Sequence, residues 1–388
     1  MSEKRILEAL SEVQDEFVED MAIEFRNQEI GKRNLRRINW IKWIGVAATI
    51  VVVFSFVADF FTPNSNSQSY FSASVTGGGI TLAETEPLLT KNPYLMGMPI
   101  MEYPVYKNLA YLEGFGGEPH YYTEEELYIM AMDIAEKLGT VITEYTYTTT
   151  GNSSVETRIS AYEITAQSEL AEIKVLGNGE ISICFNQSIP LPAEYRFSDE
   201  NTYVEAMQLI RYLSEKYNNL FGFENAADDC QMEYDLEGKR RLFYAAYNVA
   251  MEEPESITEY CFHNASFYGD EDGLSIIRYG DVRGAAEYMG DYQVISEEEA
   301  RKRLEEGQYF SIYSEMDIIG GGFSDENIKL VELTYLTGSN CRYYQPYYCF
   351  YVEAESDIEG ISNYSLFYVP ALMDEDLEQF SEIYPLGN

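Results

Sequence analysis

The chain has 388 residues, with 26 Lys and Arg against 66 Asp and Glu, and a formal charge of −40. That acidity excludes a nucleic-acid-binding surface, which needs a basic footprint, and docking onto anionic lipid headgroups. Hydrophobic residues at 46% and aromatic residues at 14% suffice to build cores, which excludes a disordered chain.

The first predicted element is an amphipathic helix. Ile6, Leu10, Val13, Phe17, Met21 and Phe25 recur at helical spacing, with Glu and Asp on the other face. So short a segment has no core of its own for that stripe. It reads either as a solvated helix or as a docking helix whose partner-binding face is Leu10, Val13, Phe17 and Met21.

Lys32, Arg33, Arg36, Arg37 and Lys42 then crowd together just before the apolar stretch 43–61, whose only charge is Asp59. Those 19 residues would span about 28 Å as a helix, close to the hydrocarbon thickness of a bilayer. Trp40 and Trp43 mark the near interface, and the basic cluster places residues 1–42 in the cytoplasm. Phe56-Val57-Ala58 puts a bulky residue where signal cleavage needs a small one, so the span reads as an uncleaved anchor. Residues 1–42 hold 8 of the 26 basic and 9 of the 66 acidic residues, leaving 18 and 57 for the remainder. The negative charge therefore falls on the external side. Residues 62–91, rich in Asn, Ser, Gly and Pro, read as a flexible tether.

Beyond the tether three units are expected, at 92–197, 198–290 and 291–388, each a helix followed by antiparallel hairpins. Thr123 to Glu126 is a capping box, followed by Leu127, Met130, Ala131, Ile134 and Leu138 on one face. Ser198-Asp199 leads into Tyr203, Ala206, Met207, Ile210, Leu213 and Tyr217, and Ser296 opens a third helix containing Ala300 and Leu304. Gly177-Asn178-Gly179 joins the strands around Ile173 and Ile183, and Glu237-Gly238 joins those around Tyr234 and Leu242. Val331, Leu333 and Tyr335, then "RYYQPYYCFYVEAES" and "YSLFYVPAL", supply the last strands. The fold class is α+β.

The sequence marks no reaction, so neither an enzyme nor a cofactor is expected. His120 and His263 stand outside any paired ligand motif. Cys261-Phe262-His263 offers two ligands with nothing nearby to complete a metal set and reads as a strand end with a half-buried histidine. Asp270-Glu271-Asp272-Gly273 lacks the calcium ligands at the ends of its loop, because Tyr268 and Tyr279 occupy those places. It reads as a solvated turn, and Gly320-Gly321-Gly322 as a flexible one. Five cysteines make no disulfide framework, and whether Cys341 and Cys349 pair stays open. Among the 34 tyrosines, Tyr343-Tyr344 and Tyr347-Tyr348 could line a groove for peptide or glycan, or form sheet faces, one packed and one half wet.

"TEEELYIMAMDIAEKLG" and "SEEEARKRLEEG", each leading into strands, resemble PepSY-type units. The closing "YYCFYVEAES" and "YSLFYVPAL" are similar to the last strands of YycH/YycI-type proteins. Together these motifs cover most of 94–388, and the resemblance implies an external domain that modulates a membrane signalling partner. The start "MSEKRILEALSEVQDEFVEDM", followed by a basic cluster and one span, resembles the cytoplasmic end of Gram-positive membrane anti-sigma factors. It implies a sigma factor as partner. Residues 1–42 contain no His or Cys, which excludes the zinc-binding version. The expected function is a single-pass membrane signalling regulator, anti-sigma-like or modulating a histidine kinase, with an external ligand left undefined. The alternative is a membrane-anchored surface protein that binds peptide or cell-wall material.

Overall fold

Thr123 opens the helix α1 (Glu124–Lys137) as the sequence predicts: its side chain accepts from the Glu126 amide while the Glu126 carboxylate takes the Thr123 amide in return. The computed structural model describes residues 80–83, 88, 92–94, 101–111, 121–149, 162–234, 239–309, 311, 318–319, 322–337, 341–356 and 358–380. These fall in one compact unit, Thr62–Asn388. The amphipathic stripe, the apolar stretch 43–61 and almost all of the tether lie outside the described residues. Among the described residues, no helix is long and apolar enough to cross a membrane.

In chain order the strands are β1 (Ile80–Ala83), β2 (Glu102–Asn108), β3 (Ile142–Thr149), β4 (Tyr162–Ser168), β5 (Ala171–Leu176), β6 (Ile181–Ile189), β7 (Ala226–Tyr234) and β8 (Arg240–Asn248). They continue with β9 (His263–Asp270), β10 (Gly273–Asp281), β11 (Ala286–Gln293), β12 (Ile328–Tyr335), β13 (Tyr343–Tyr344), β14 (Pro346–Ala354) and β15 (Ile361–Pro370). The remaining helices are α2 (Tyr203–Lys216), α3 (Asn218–Phe221), α4 (Glu255–Phe262), α5 (Glu297–Glu305) and α6 (Asp374–Phe380). The fold is α+β, and every pairing between the named strands is antiparallel.

One sheet has eight strands in the order β3-β4-β5-β6-β10-β9-β8-β7. It consists of two four-strand meanders, each preceded by a helix, joined through their last strands, β6 and β10. The strands expected of the first and second units thus share one hydrogen-bonded sheet. α1 packs on β4 and β5, and α2 on β7 and β8. Leu127, Ala131 and Ile134 of α1 and Leu209, Ile210 and Leu213 of α2 join Ile164, Ile173, Val175, Ile183, Phe267 and Ile277 in one buried core. Each large apolar side chain placed there contributes about 1.5–3 kcal/mol. α2 begins at Tyr203 with its own capping box, Thr202 with Glu205. Ser198 and Asp199 serve the preceding turn instead, where the Ser198 carbonyl accepts from Tyr244 and Asp199 pairs with Arg241.

The β5–β6 turn falls where Gly177-Asn178-Gly179 places it. Gly179 takes a left-handed φ of +88°, and Gly177 leaves room for the Tyr162 ring, whose carbons would stand 2.3 Å from any added Cβ.

A second sheet runs β1-β15-β14-β12, and a third β11-β2-β13. Tyr103, Val105, Phe262, Ala300, Leu304, Leu333, Phe350 and Phe367 belong to the second core. β2 therefore pairs with β11 and β13, far along the chain, and not with the neighbouring β3 to β6. The tyrosine-rich run departs from the expectation of one packed and one half-wet face. Tyr347, Tyr348, Phe350 and Tyr351 are all buried, because opposite faces of β14 enter separate apolar clusters. Cys341 and Cys349 are buried and not bridged to each other.

Candidate functional site

Of the two histidines the structure describes His263, together with its candidate co-ligand Cys261; His120 and the stripe Leu10, Val13, Phe17 and Met21 lie outside the described residues. Cys261 and Phe262 end helix α4, and His263 starts strand β9, so the expected strand end is a helix-to-strand junction. The two candidate ligands diverge. Cys261 Sγ lies 3.6 Å from Thr334 Oγ1, whereas His263 Nε2 lies 2.8 Å from the Phe221 carbonyl oxygen. The His263 ring meets Phe223 edge-on at 4.8 Å. Among the described residues no group of His, Cys, Asp and Glu could hold a metal ion.

Around His263 sits an ionic cluster. Arg283 grips Glu259 with both terminal nitrogens, donates to Asp281 through Nε at 2.8 Å and Nη2 at 2.7 Å, and so fills most of its hydrogen-bonding capacity. Asn248 Nδ2 donates to Glu259 Oε2 at 2.7 Å. Nδ1 of His263 stands 3.6 Å from that same oxygen, longer than a hydrogen bond. Burial pushes the Glu259 carboxyl up, but His263, Arg283 and Asn248 outweigh it and hold it at about 2. The cluster ties α4 to β8 and to the end of β10. Arg283, Glu259, Asp281 and Asn248 are taken up by one another, which suits a structural clamp, while His263 Nδ1 is buried without a hydrogen bond.

Beside the clamp is an open cleft of about 670 Å³. Its floor is the outer face of the β2–β11 ladder, where three cross-strand neighbours line up: Glu102 with Gln293, Pro104 with Asp291, and Tyr106 with Tyr288. Pro254, Glu255 and Thr258, from the start of α4, form the wall.

The floor depends on an irregularity. A regular strand would present residues 288, 290 and 292 on one face. A bulge between Tyr288 and Gly290 shifts the register, so that Tyr288, Asp291 and Gln293 face the cleft together. Gly290 makes the bulge possible with φ of +140°, a conformation that side chains rarely adopt.

Tyr106 is anchored from below by Phe262, edge-on at 5.5 Å, and Tyr288 leans on Tyr106 at 5.8 Å. A hydrogen bond to Asp291 raises the Tyr288 phenol above its ordinary range, and burial raises Tyr106 against the opposing pull of Arg283. Glu102, Glu255 and Asp291 bring three carboxylates to the cleft, and its lining contains no Lys or Arg. Arg283, close enough to influence Tyr106, is already engaged by Glu259 and Asp281. Carboxylates beside the exposed Tyr288 ring and the half-buried Tyr106 ring make a surface that attracts cations.

Sequence reasoning does not find Glu102, Tyr106, Glu255, Tyr288 and Asp291. Their one local signal is the alternating Tyr103-Pro104-Val105-Tyr106 of β2, and nothing in it points 189 positions along the chain from Glu102 to Asp291. Asp270-Glu271-Asp272 is the turn that the sequence suggests, closed by a bond from the Asp272 amide to Asp270 Oδ1 at 2.9 Å. No protein-family model matches the chain, and no curated protein sequence matches it.

Proposed function

We propose that this chain is a single-pass membrane signalling regulator, anti-sigma-like or modulating a histidine kinase, that carries an external ligand-binding module. Residues 1–42 lie in the cytoplasm, 43–61 cross the bilayer as a helix, and the α+β module beyond the tether senses a ligand outside. The observation that carries the reading is the order of elements in one chain. An apolar stripe without a core comes first, then a basic cluster ending at Lys42, then a 19-residue stretch whose only charge is Asp59, then an acidic remainder. Support for PepSY-like units comes from the repeated arrangement of a helix followed by a four-strand antiparallel meander.

Capture of a cytoplasmic partner tests it. The full chain, extracted in neutral detergent, should retain a sigma factor or histidine kinase through Leu10, Val13, Phe17 and Met21. Replacing Leu10→Asp and Phe17→Asp together should release that partner while membrane insertion is unchanged. Equal capture by the double variant, or capture of neither class of protein, would leave the surface-binding reading in front. The cleft on the β2–β11 ladder supports that second reading, since it gives the module a binding face of its own.

A further inference from the structure

The geometry points to a cationic peptide as the ligand of the β2–β11 cleft: an extended segment whose lysine or arginine side chains meet Glu102, Asp291 and Glu255 over the rings of Tyr106 and Tyr288. This assignment rests on reading the module as the ligand-binding part of the chain. Charge decides the sign of the ligand. All three ionisable carboxylates of the cleft are acidic partners for a cation, and its lining supplies no cation of its own. On a chain with a formal charge of −40, a phosphate or polyanion would be repelled on approach.

The spread of the acids decides against a single metal ion, because no three of them converge among the described residues. Separated carboxylates instead suit several ammonium or guanidinium groups on one backbone. Tyrosine faces add to this, since the negative face of an aromatic ring attracts a cation. The volume of about 670 Å³ lies within the range of small-ligand pockets and holds a few residues.

The position of β11 favours a peptide over a free polyamine. β11 is the outer strand of β11-β2-β13; residues 371–373 bond to the Gln293 end of its second edge, and among the described residues no named strand pairs with the remainder of that edge. A peptide lying along that edge can add main-chain hydrogen bonds to the side-chain contacts, which a polyamine cannot.

The test uses the full chain in neutral detergent micelles and titrates it calorimetrically with three probes. These are an acetylated pentapeptide of alternating lysine and valine, the same peptide with glutamate for lysine, and spermine. The lysine peptide should bind, weaken as salt rises, and bind more tightly than spermine; the glutamate peptide should not bind. Glu102→Gln with Asp291→Asn should weaken the lysine peptide about tenfold. The charge-matched pair Glu271→Gln with Asp272→Asn, in the β9–β10 turn, should leave it unchanged. Tyr288→Ala, which alters no charge at neutral pH, should weaken binding about threefold to fivefold. Equal losses from both acid pairs would reduce the effect to general attraction and overturn the site. Spermine binding as tightly as the peptide would overturn the peptide assignment, and absence of binding by the lysine peptide would overturn both. Partner capture by residues 1–42 is read separately, so failure of either result leaves the other standing.

Discussion

Tyr106 and Tyr288 stand opposite each other on β2 and β11, their rings 5.8 Å apart and inclined at 63°. Their neighbour Asp291 shares their face only because the strand bulges at Gly290. A Cβ at Gly290 would sit 3.3 Å from the Tyr292 ring while forced to hold φ of +140°. Gly290→Ala should therefore cost about 1–3 kcal/mol. Because relaxing the strain means re-phasing β11, it should also weaken the lysine peptide by turning Asp291 from the cleft. Denaturant unfolding and peptide titration of the same variant read the two effects. A stable variant with unchanged binding would disconnect the bulge from the site.

Glu259 supplies a pH dependence whose sign is fixed. Its carboxyl titrates at about 2 in the folded protein against an ordinary 4.5. The stabilisation is therefore fully present above pH 4.5 and is lost as pH falls towards 2. The difference corresponds to about 3 kcal/mol for a group that is largely buried. Glu259→Gln should lower stability by about that amount at neutral pH. The gap between wild type and variant should close between pH 4.5 and pH 2, followed by denaturant titration at each pH. A gap that stays constant with pH would mean that Asn248 and packing, not the Arg283 pair, set the contribution.

Gly177 carries a steric prediction. Gly177→Ala drives a methyl to within 2.3 Å of the Tyr162 ring, which is buried and bonded through its hydroxyl to the Gly177 carbonyl. The ring must move or the hairpin must open, at a cost of about 1–3 kcal/mol. Gly280→Ala is the control, since its nearest neighbour is the flexible Glu180 side chain at 3.3 Å. Thermal unfolding should separate the two clearly.

The helix starts show how much of the fold was legible in the sequence. Thr123 with Glu126 announces α1, and the periodic Leu127, Ala131 and Ile134 give its buried face. Thr202 with Glu205 is an equally regular box, but Ser198-Asp199 lies just upstream and competes for the role of cap. Hairpins with short turns were legible because their contacts are local. The joining of β6 to β10, the recruitment of β2 by β11, and the burial of both faces of β14 are tertiary events with no local signature. The candidate cleft was illegible for the same reason, compounded by a bulge that breaks the two-residue period by which a strand face is read. Helix α4 has no clear local signal, because Cys261-Phe262-His263 straddles two elements.

Both capping boxes should contribute alike. Thr123→Ala and Thr202→Ala each remove an acceptor for a helix-end amide and the anchor of a reciprocal glutamate. Each should destabilise the module by about 1 kcal/mol, measured by denaturant unfolding. Because α1 and α2 cover separate halves of the eight-stranded sheet, the double variant should show the sum. A loss well below the sum would reveal that the two halves of the sheet do not unfold together.

The last prediction concerns topology, on which the signalling reading depends. Lys32, Arg33, Arg36, Arg37 and Lys42 precede the apolar stretch 43–61, and the next basic residue is Lys91. Positive charge resists translocation, so the N-terminal side should stay inside and the chain beyond should cross. A reporter active only outside the cell should work when fused after Asn388 and be silent when fused before Met1. Removing the cluster while adding lysines between positions 62 and 70 should move a measurable fraction of molecules into the opposite orientation. That result would tie orientation to the cluster and not to the size or acidity of the module. An active N-terminal reporter on the unaltered chain, with a silent C-terminal one, would place the acidic module inside. The stripe at Leu10, Val13, Phe17 and Met21 would then face the exterior, where no sigma factor could reach it.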